Sequence, residues 1–299
     1  MENRQLDSTT TIEELRNSGK YPIVDLKIFD SLSSLAFSNY SLFREQEVFD
    51  QAQLYLEDIL SLSVLRRKQY LKTLKSREIV DTNKLEQEDA YLIEMYMQTH
   101  RQHAIDYLLK KQEESSALTK EILIEAHKKL LQGTSSNRYT KNDYRTTDNT
   151  FVTKSGSAFE IHYFALPTSQ IDDAMMNLMF YYNSQVHNEH PFIKPIIIHG
   201  LIGALQMFDD GNTRLGRTLQ SLKMYELLQV RERYDFASPF IYSSRSYLAY
   251  RHDYRDKLGE VAICPNEENW DQWIKFNLLR LEEQIFYNRN KLKEYKKIL

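Results

Sequence analysis

The stretch Pro195-Ile196-Ile197-Ile198-His199-Gly200-Leu201-Ile202-Gly203-Ala204-Leu205-Gln206-Met207-Phe208-Asp209-Asp210-Gly211-Asn212-Thr213-Arg214-Leu215-Gly216-Arg217-Thr218-Leu219-Gln220 reads as two helices joined by a tight turn. In the first, Ile197, Leu201, Ala204 and Phe208 recur at helical spacing and fall on one face. In the second, Leu215, Leu219, Leu222 and Tyr225 do the same. Asp209-Asp210-Gly211-Asn212 between them consists of residues that tolerate unusual backbone angles and accept hydrogen bonds.

A helix that opens just after Gly211-Asn212 points its first unpaired N–H groups into that turn, together with the positive end of its dipole. Such a terminus attracts anions, and glycine lets a phosphate come close to the backbone. Arg214 and Arg217, three residues apart, share a helix face and have the geometry to grip phosphate oxygens. Asp210, or its neighbour Asp209, supplies a carboxylate for a Mg²⁺ bridging those oxygens. The plainer reading is a short acidic loop between two core helices, with an aspartate acting only as a helix cap.

Outward from this stretch, composition narrows the class. With 299 residues, eight glycines, six prolines and no Pro/Ser-rich linker, the chain reads as one continuous helical body. A net charge of −3 gives no general basic field, so nucleic acid is not an expected partner. A single cysteine, Cys264, excludes an internal disulfide and suits a reducing compartment. The polar first twenty residues carry no targeting signal, and the apolar run ending at Phe208 is too short to span a membrane. The expectation is a cytoplasmic protein that engages no membrane. Helices are expected over residues 20–75, 88–113, 119–132 and 168–185, around the quoted stretch, and after Ser238. Phe151–Thr153 and Ala158–Tyr163 read as strands around a Lys154–Ser157 turn.

From Gln206 to Arg217 the chain resembles the signature of the Fic (Fido) family, His-x-Phe-x-Asp/Glu-Gly-Asn-Gly-Arg-x-x-Arg. Phe208, Asp210, Gly211, Asn212, Arg214 and Arg217 match, while Gln206 stands where the family has histidine and Thr213 where it has its second glycine. The resemblance extends over roughly residues 20–285 and implies a mainly α fold: a helical bundle with one small β-hairpin flap. It divides the chain into an N-terminal helical region (1–115), a core with the signature (116–232) and C-terminal helices (233–299), with no winged helix after them. It implies ATP and Mg²⁺ as cofactors, with phosphates held by Gly211, Asn212, Thr213, Arg214 and Arg217 and the metal by Asp210. It also implies a protein target laid across the flap at Ile161, His162 and Tyr163. Family members often form homodimers, though no seam in this sequence marks one.

Many members also carry an inhibitory helix whose glutamate pairs with the last signature arginine. Aligning Ser76, Glu78 and Ile79 with that motif puts Val80 at the glutamate's position; a second placement uses Glu45. His127 and His199 are expected to be structural, and His187 and His190 chance loop histidines rather than a metal pair.

In the family the signature histidine takes the proton from the target hydroxyl as it attacks the α-phosphate of ATP. An amide at Gln206 has no nitrogen that titrates near neutrality, and a lost general base slows a reaction by about 10²–10⁴. His199 lies seven residues earlier on the helix, roughly 10 Å away at ~1.5 Å per residue, so it cannot stand in. Three readings follow. The first is an impaired adenylyltransferase homologue that keeps a nucleotide cradle and works by binding a protein target or regulatory partner. The second is an active transferase using a different base such as Asp209, moving AMP or another phosphate-containing group. The third is an interaction protein without ligand.

Overall fold

The computed structural model describes residues 17–19, 21–85, 103–114, 117–132, 143–148, 151–154, 160–230, 233 and 238–298, with backbone alone at 33, 78–85, 151–154, 160–162 and 298. The quoted stretch forms the centre of the molecule. All thirteen residues of helix Ile193–Leu205 are buried, not only one face, as befits a helix apolar around its circumference. The next helix, Asn212–Leu227, packs against it more extensively than any other pair of elements.

In chain order the named elements are α1 (Lys27–Ser33), α2 (Asn39–Leu60), α3 (Val64–Leu85), α4 (Lys120–Leu131), β1 (Phe151–Lys154), β2 (Glu160–Phe164), α5 (Ile171–Asn183), α6 (Ile193–Leu205), α7 (Asn212–Leu227), α8 (Ser244–Ala249), α9 (Arg251–Ile263) and α10 (Glu267–Ile298). Residues 103–114 are also helical. The fold is therefore mainly α with one small hairpin, as the resemblance implied. Buried apolar side chains from Val24 to Leu292 form one connected core.

Two local differences from the sequence reading have clear causes. The expected helix through residue 75 breaks at Ser61–Ser63, separating α2 from α3. Ser61 donates its N–H back to Glu57 at 3.0 Å and its hydroxyl to Asp58 O at 2.8 Å, local bonds that end α2. The helix expected to carry Phe208 on its face stops at Leu205, because Gln206 adopts a left-handed conformation with φ 50°. Part of the helix expected at 88–113 lies outside the described residues; 103–114 is helical.

α6 is held from several sides. Trp273 of α10 donates its indole N–H to Ile196 O at 3.0 Å. Along α10 runs α2: Ser41 bonds Asp271, Arg44 pairs with Glu282, and Asp58 pairs with Arg289 and Lys296. The partners advance together, so the two helices run in the same direction. Glu45 of α2 fastens the start of α6: its Oε1 accepts from the N–H groups of Phe192 and Ile193, both at 3.0 Å, and its Oε2 meets His190 Nδ1 at 2.6 Å. A carboxylate there meets orphan donors and the positive end of the helix dipole. The hydrogen bond with Glu45 raises the His190 pKa above its ordinary value.

Where α6 and α7 touch, Gly216 lies on His199. A Cβ at Gly216 would come 2.8 Å from His199 Cδ2 and 3.1 Å from its carbonyl oxygen. Backbone cannot yield cheaply there, so Gly216→Ala is expected to lower unfolding stability by about 1–3 kcal/mol in urea denaturation. The Glu45–His190 pair has a pH signature. A raised folded pKa contributes stability present below pH ~6.5 and lost as pH rises through the raised value. Glu45→Gln should therefore depress the melting temperature more at pH 6 than at pH 8.5.

Candidate nucleotide-binding loop

The α6–α7 turn is held by side-chain amides. The Gln206 Nε2 donates to Gly203 O at 2.6 Å, and its Oε1 accepts from Asn212 Nδ2 at 3.0 Å. Asn212 also closes on the backbone: its Oδ1 accepts from Phe208 N–H at 3.0 Å and its Nδ2 donates to Phe208 O at 2.8 Å. Gly211 stands at φ 82°, which suits glycine, and Leu215 N–H donates to its carbonyl at 2.9 Å in the first turn of α7.

α4 lies beneath this turn. The His127 ring stacks on Phe208 with centroids 3.8 Å apart, and its Nε2–H donates to Asp210 O at 2.7 Å. Burial chiefly, with the Arg214 charge, lowers its pKa to about 4, so the ring is neutral at physiological pH. A Cβ on Gly211 would approach Leu131 Cδ2 to 2.9 Å and His127 Nε2 to 3.3 Å. Glycine is thus required here both by its backbone angle and by the close approach of α4.

The two arginines part company. Arg214 is 2% exposed and pairs through Nη2 with Asp210 Oδ2 at 2.9 Å. Arg217 is 1% exposed and donates through Nη1 to the Tyr254 hydroxyl of α9 at 3.3 Å. That hydroxyl shares a 2.8 Å hydrogen bond with His199 Nε2. His199 itself is enclosed by the rings of Tyr247, Tyr254 and Trp273. The sequence reading gave both arginines one task on one face; packing commits Arg217 to a buried aromatic cluster. Thr213 remains half-buried at the helix start. Asp209 is half-buried too, and desolvation raises its pKa against the opposing pull of Arg145.

Arg145 was missed in the sequence. It is fully buried and gathers three carbonyls: Nε donates to Gln206 O at 2.6 Å, Nη1 to Thr147 O at 3.1 Å, and Nη2 to Leu166 O. Its own N–H donates to Met207 O at 3.2 Å. One guanidinium thus joins the turn to the segment that leaves the hairpin after β2. A lone arginine in a Ser/Asn/Thr-rich segment gives no local sign of this.

The flap is the β1–β2 hairpin, with Phe151 opposite Phe164, Val152 opposite Tyr163, Thr153 opposite Ile161 and Lys154 opposite Glu160. Tyr163, expected to face a target, instead points inward: it is 2% exposed, beside Gly259 of α9. Strand alternation with a register shift between Val152 and Thr153 decides this, and no short motif reveals it. Ile161 and His162 lie in β2, with side chains outside those described. Val80 lies in α3, which packs chiefly on α8; its side chain is likewise outside the description. Glu45 does not take the inhibitory glutamate's part: its two oxygens serve the Phe192 and Ile193 N–H groups and His190 at the start of α6, not Arg217.

The residues fit an anion. N–H groups at the start of α7, a glycine hinge and Arg214 converge at the turn. Among the described residues no cluster of three or more His, Cys, Asp or Glu could hold a metal unaided. A Mg²⁺ at Asp210 would take further ligands from phosphate and water, in competition with Arg214 for the carboxylate.

Residues 117–223 match the model of the Fic/DOC family. Over these residues the chain is similar to a Fic domain. Solved structures share the fold. A Fic family protein from Desulfovibrio desulfuricans has a TM-score of 0.56 at 16% identity, covering 84% of this chain and 74% of that one. Fic-1 from C. elegans has a TM-score of 0.55 at 15% identity, covering 86% and 74%. A Fic-domain-containing signaling protein from Bacteroides thetaiotaomicron has a TM-score of 0.57 at 14% identity, covering 84% and 97%. Such a domain suggests transfer of a nucleotide-derived group to proteins. Among the described residues no helix is long and apolar enough to cross a membrane.

The Asn212 amide is the main fastening of the turn. Asn212→Ala should reduce stability by about 1–3 kcal/mol, the usual consequence of leaving buried partners unsatisfied, as read by urea denaturation.

Proposed function

We propose that this Fic-domain protein is an adenylyltransferase homologue with impaired chemistry that retains a nucleotide-binding loop and acts by binding a protein partner. The observation that carries the reading is the state of Gln206. Both ends of its amide are engaged, one by Gly203 and one by Asn212. It serves as a fastening of the turn and offers no basic nitrogen to a target hydroxyl. The nearby histidines do not replace it: His127 spends its Nε2–H on Asp210 O, and His199 is buried against Tyr254.

In this reading the backbone N–H groups of Asn212 and Thr213 orient the phosphates of ATP. Arg214 supplies positive charge, and Asp210 holds Mg²⁺. The metal, when bound, neutralises charge on the phosphate oxygens. Arg217 contributes from behind, its guanidinium fixed by Tyr254. Thr213 adds a Cβ where relatives carry glycine and narrows the approach to the backbone. The protein would work in the cytoplasm, as monomer or homodimer, without nucleic acid.

A second reading has one observation in its favour. Asp209, three residues after Gln206, is half-buried, with its pKa raised by desolvation, the direction a general base requires. It would make the protein an active transferase with a different base.

Incubation with α-labelled ATP and Mg²⁺ separates the two. The expected result is ATP binding without transfer by wild type, and transfer raised by about 10²–10⁴ in Gln206→His. Label incorporated by wild type and abolished in Asp209→Asn would establish the second reading instead.

A further inference from the structure

β2 has a partner on each side. β1 pairs along one edge. On the other, Phe164 donates its N–H to Pro22 O at 2.9 Å and accepts at its carbonyl from Val24 N–H at 3.0 Å. These bonds make a parallel bridge centred on Ile23. The Tyr21 ring meets the Phe164 ring edge-on, with centroids 6.2 Å apart. Val24 is buried while Pro22 and Ile23 are exposed, so one side chain anchors a segment that otherwise lies on the surface. We propose that Tyr21–Val24 is an intramolecular strap that closes the outer edge of β2 to an extended segment of a protein partner. This rests on the reading of the protein as one that engages protein partners.

An unpaired strand edge accepts a further strand through its backbone groups. Here the Phe164 position on that edge is already taken by the chain itself. The position matters because of what adjoins it. Leu166, two residues further and about 7 Å along an extended chain, gives its carbonyl to Arg145. The same guanidinium holds Gln206 O at 2.6 Å. The strap therefore occupies the end of β2 tied to the nucleotide-binding loop. A strand added along this edge as far as Phe164 would have to displace it. As a tethered competitor, the strap acts at an effective concentration on the order of millimolar.

The test uses full-length wild type, Val24→Pro and Val24→Ala, with thermal melts for each. Proline removes the N–H that donates to Phe164 O; alanine keeps it while trimming the buried side chain. The probe is a fluorescein-labelled peptide with the sequence of Tyr21–Ile28, followed by anisotropy. The strap predicts that Val24→Pro binds the peptide at least about tenfold tighter than wild type, with Val24→Ala close to wild type. Equal binding by all three, or an equal gain in both variants, overturns it. If Val24→Pro loses its cooperative melt, hydrogen exchange of the Phe164 amide in wild type decides. Exchange by local opening supports the strap, whereas exchange only through global unfolding makes the segment a permanent strand and ends the proposal. ATP binding on the same samples is scored separately. Its absence with the peptide effect intact would sink the nucleotide reading and leave the strap standing.

Discussion

Asn212 turns its side-chain amide back onto the peptide of Phe208, accepting from its N–H and donating to its carbonyl. That closed pair reverses the chain between α6 and α7, and much of the molecule depends on the reversal. It ends α6 at a left-handed Gln206 and starts α7 at a left-handed Gly211. With the turn set, Gly216 comes down on His199, and the two helices pack at backbone distance. The remaining elements dress this pair. α10 hydrogen-bonds α6 through Trp273, α4 supports the turn through His127, and Glu45 caps the opposite end.

The electrostatics follow from the same burial. Few charges in the centre lack a short-range purpose. Arg214 answers Asp210, Arg217 lies against Tyr254, and Arg145 collects carbonyls that the turn and the hairpin would otherwise leave buried. A buried guanidinium with well-placed acceptors is tolerated where an uncompensated one would be expelled. This arrangement gives the signature arginines a structural duty as well as any duty toward phosphate.

Gln206 itself belongs to this fabric. Its amide can donate and accept at once, which the turn uses at Gly203 and Asn212. An imidazole at the same position has one donor and one acceptor on a rigid ring and could not reproduce both contacts without rotating. The substitution therefore exchanges a group that can take up a proton for one that fastens a loop.

The sequence by itself determined the helical class, the hairpin, the pair of helices at 195–220 and the tight turn between them. These depend on short-range rules: periodicity, turn residues, and the matched spacing of Gly211, Asn212, Arg214 and Arg217. Tertiary structure decided the rest. It buried α6 on every side, sent Tyr163 inward, assigned Glu45 to a helix cap and Arg217 to Tyr254, and raised Arg145 from an unremarked loop residue to a hub. Each of these depends on partners far apart in the chain, Glu45 with Ile193 or Arg145 with Gln206. Local propensity carries no information about such pairs; only the packed core brings them together and makes their burial demand a partner.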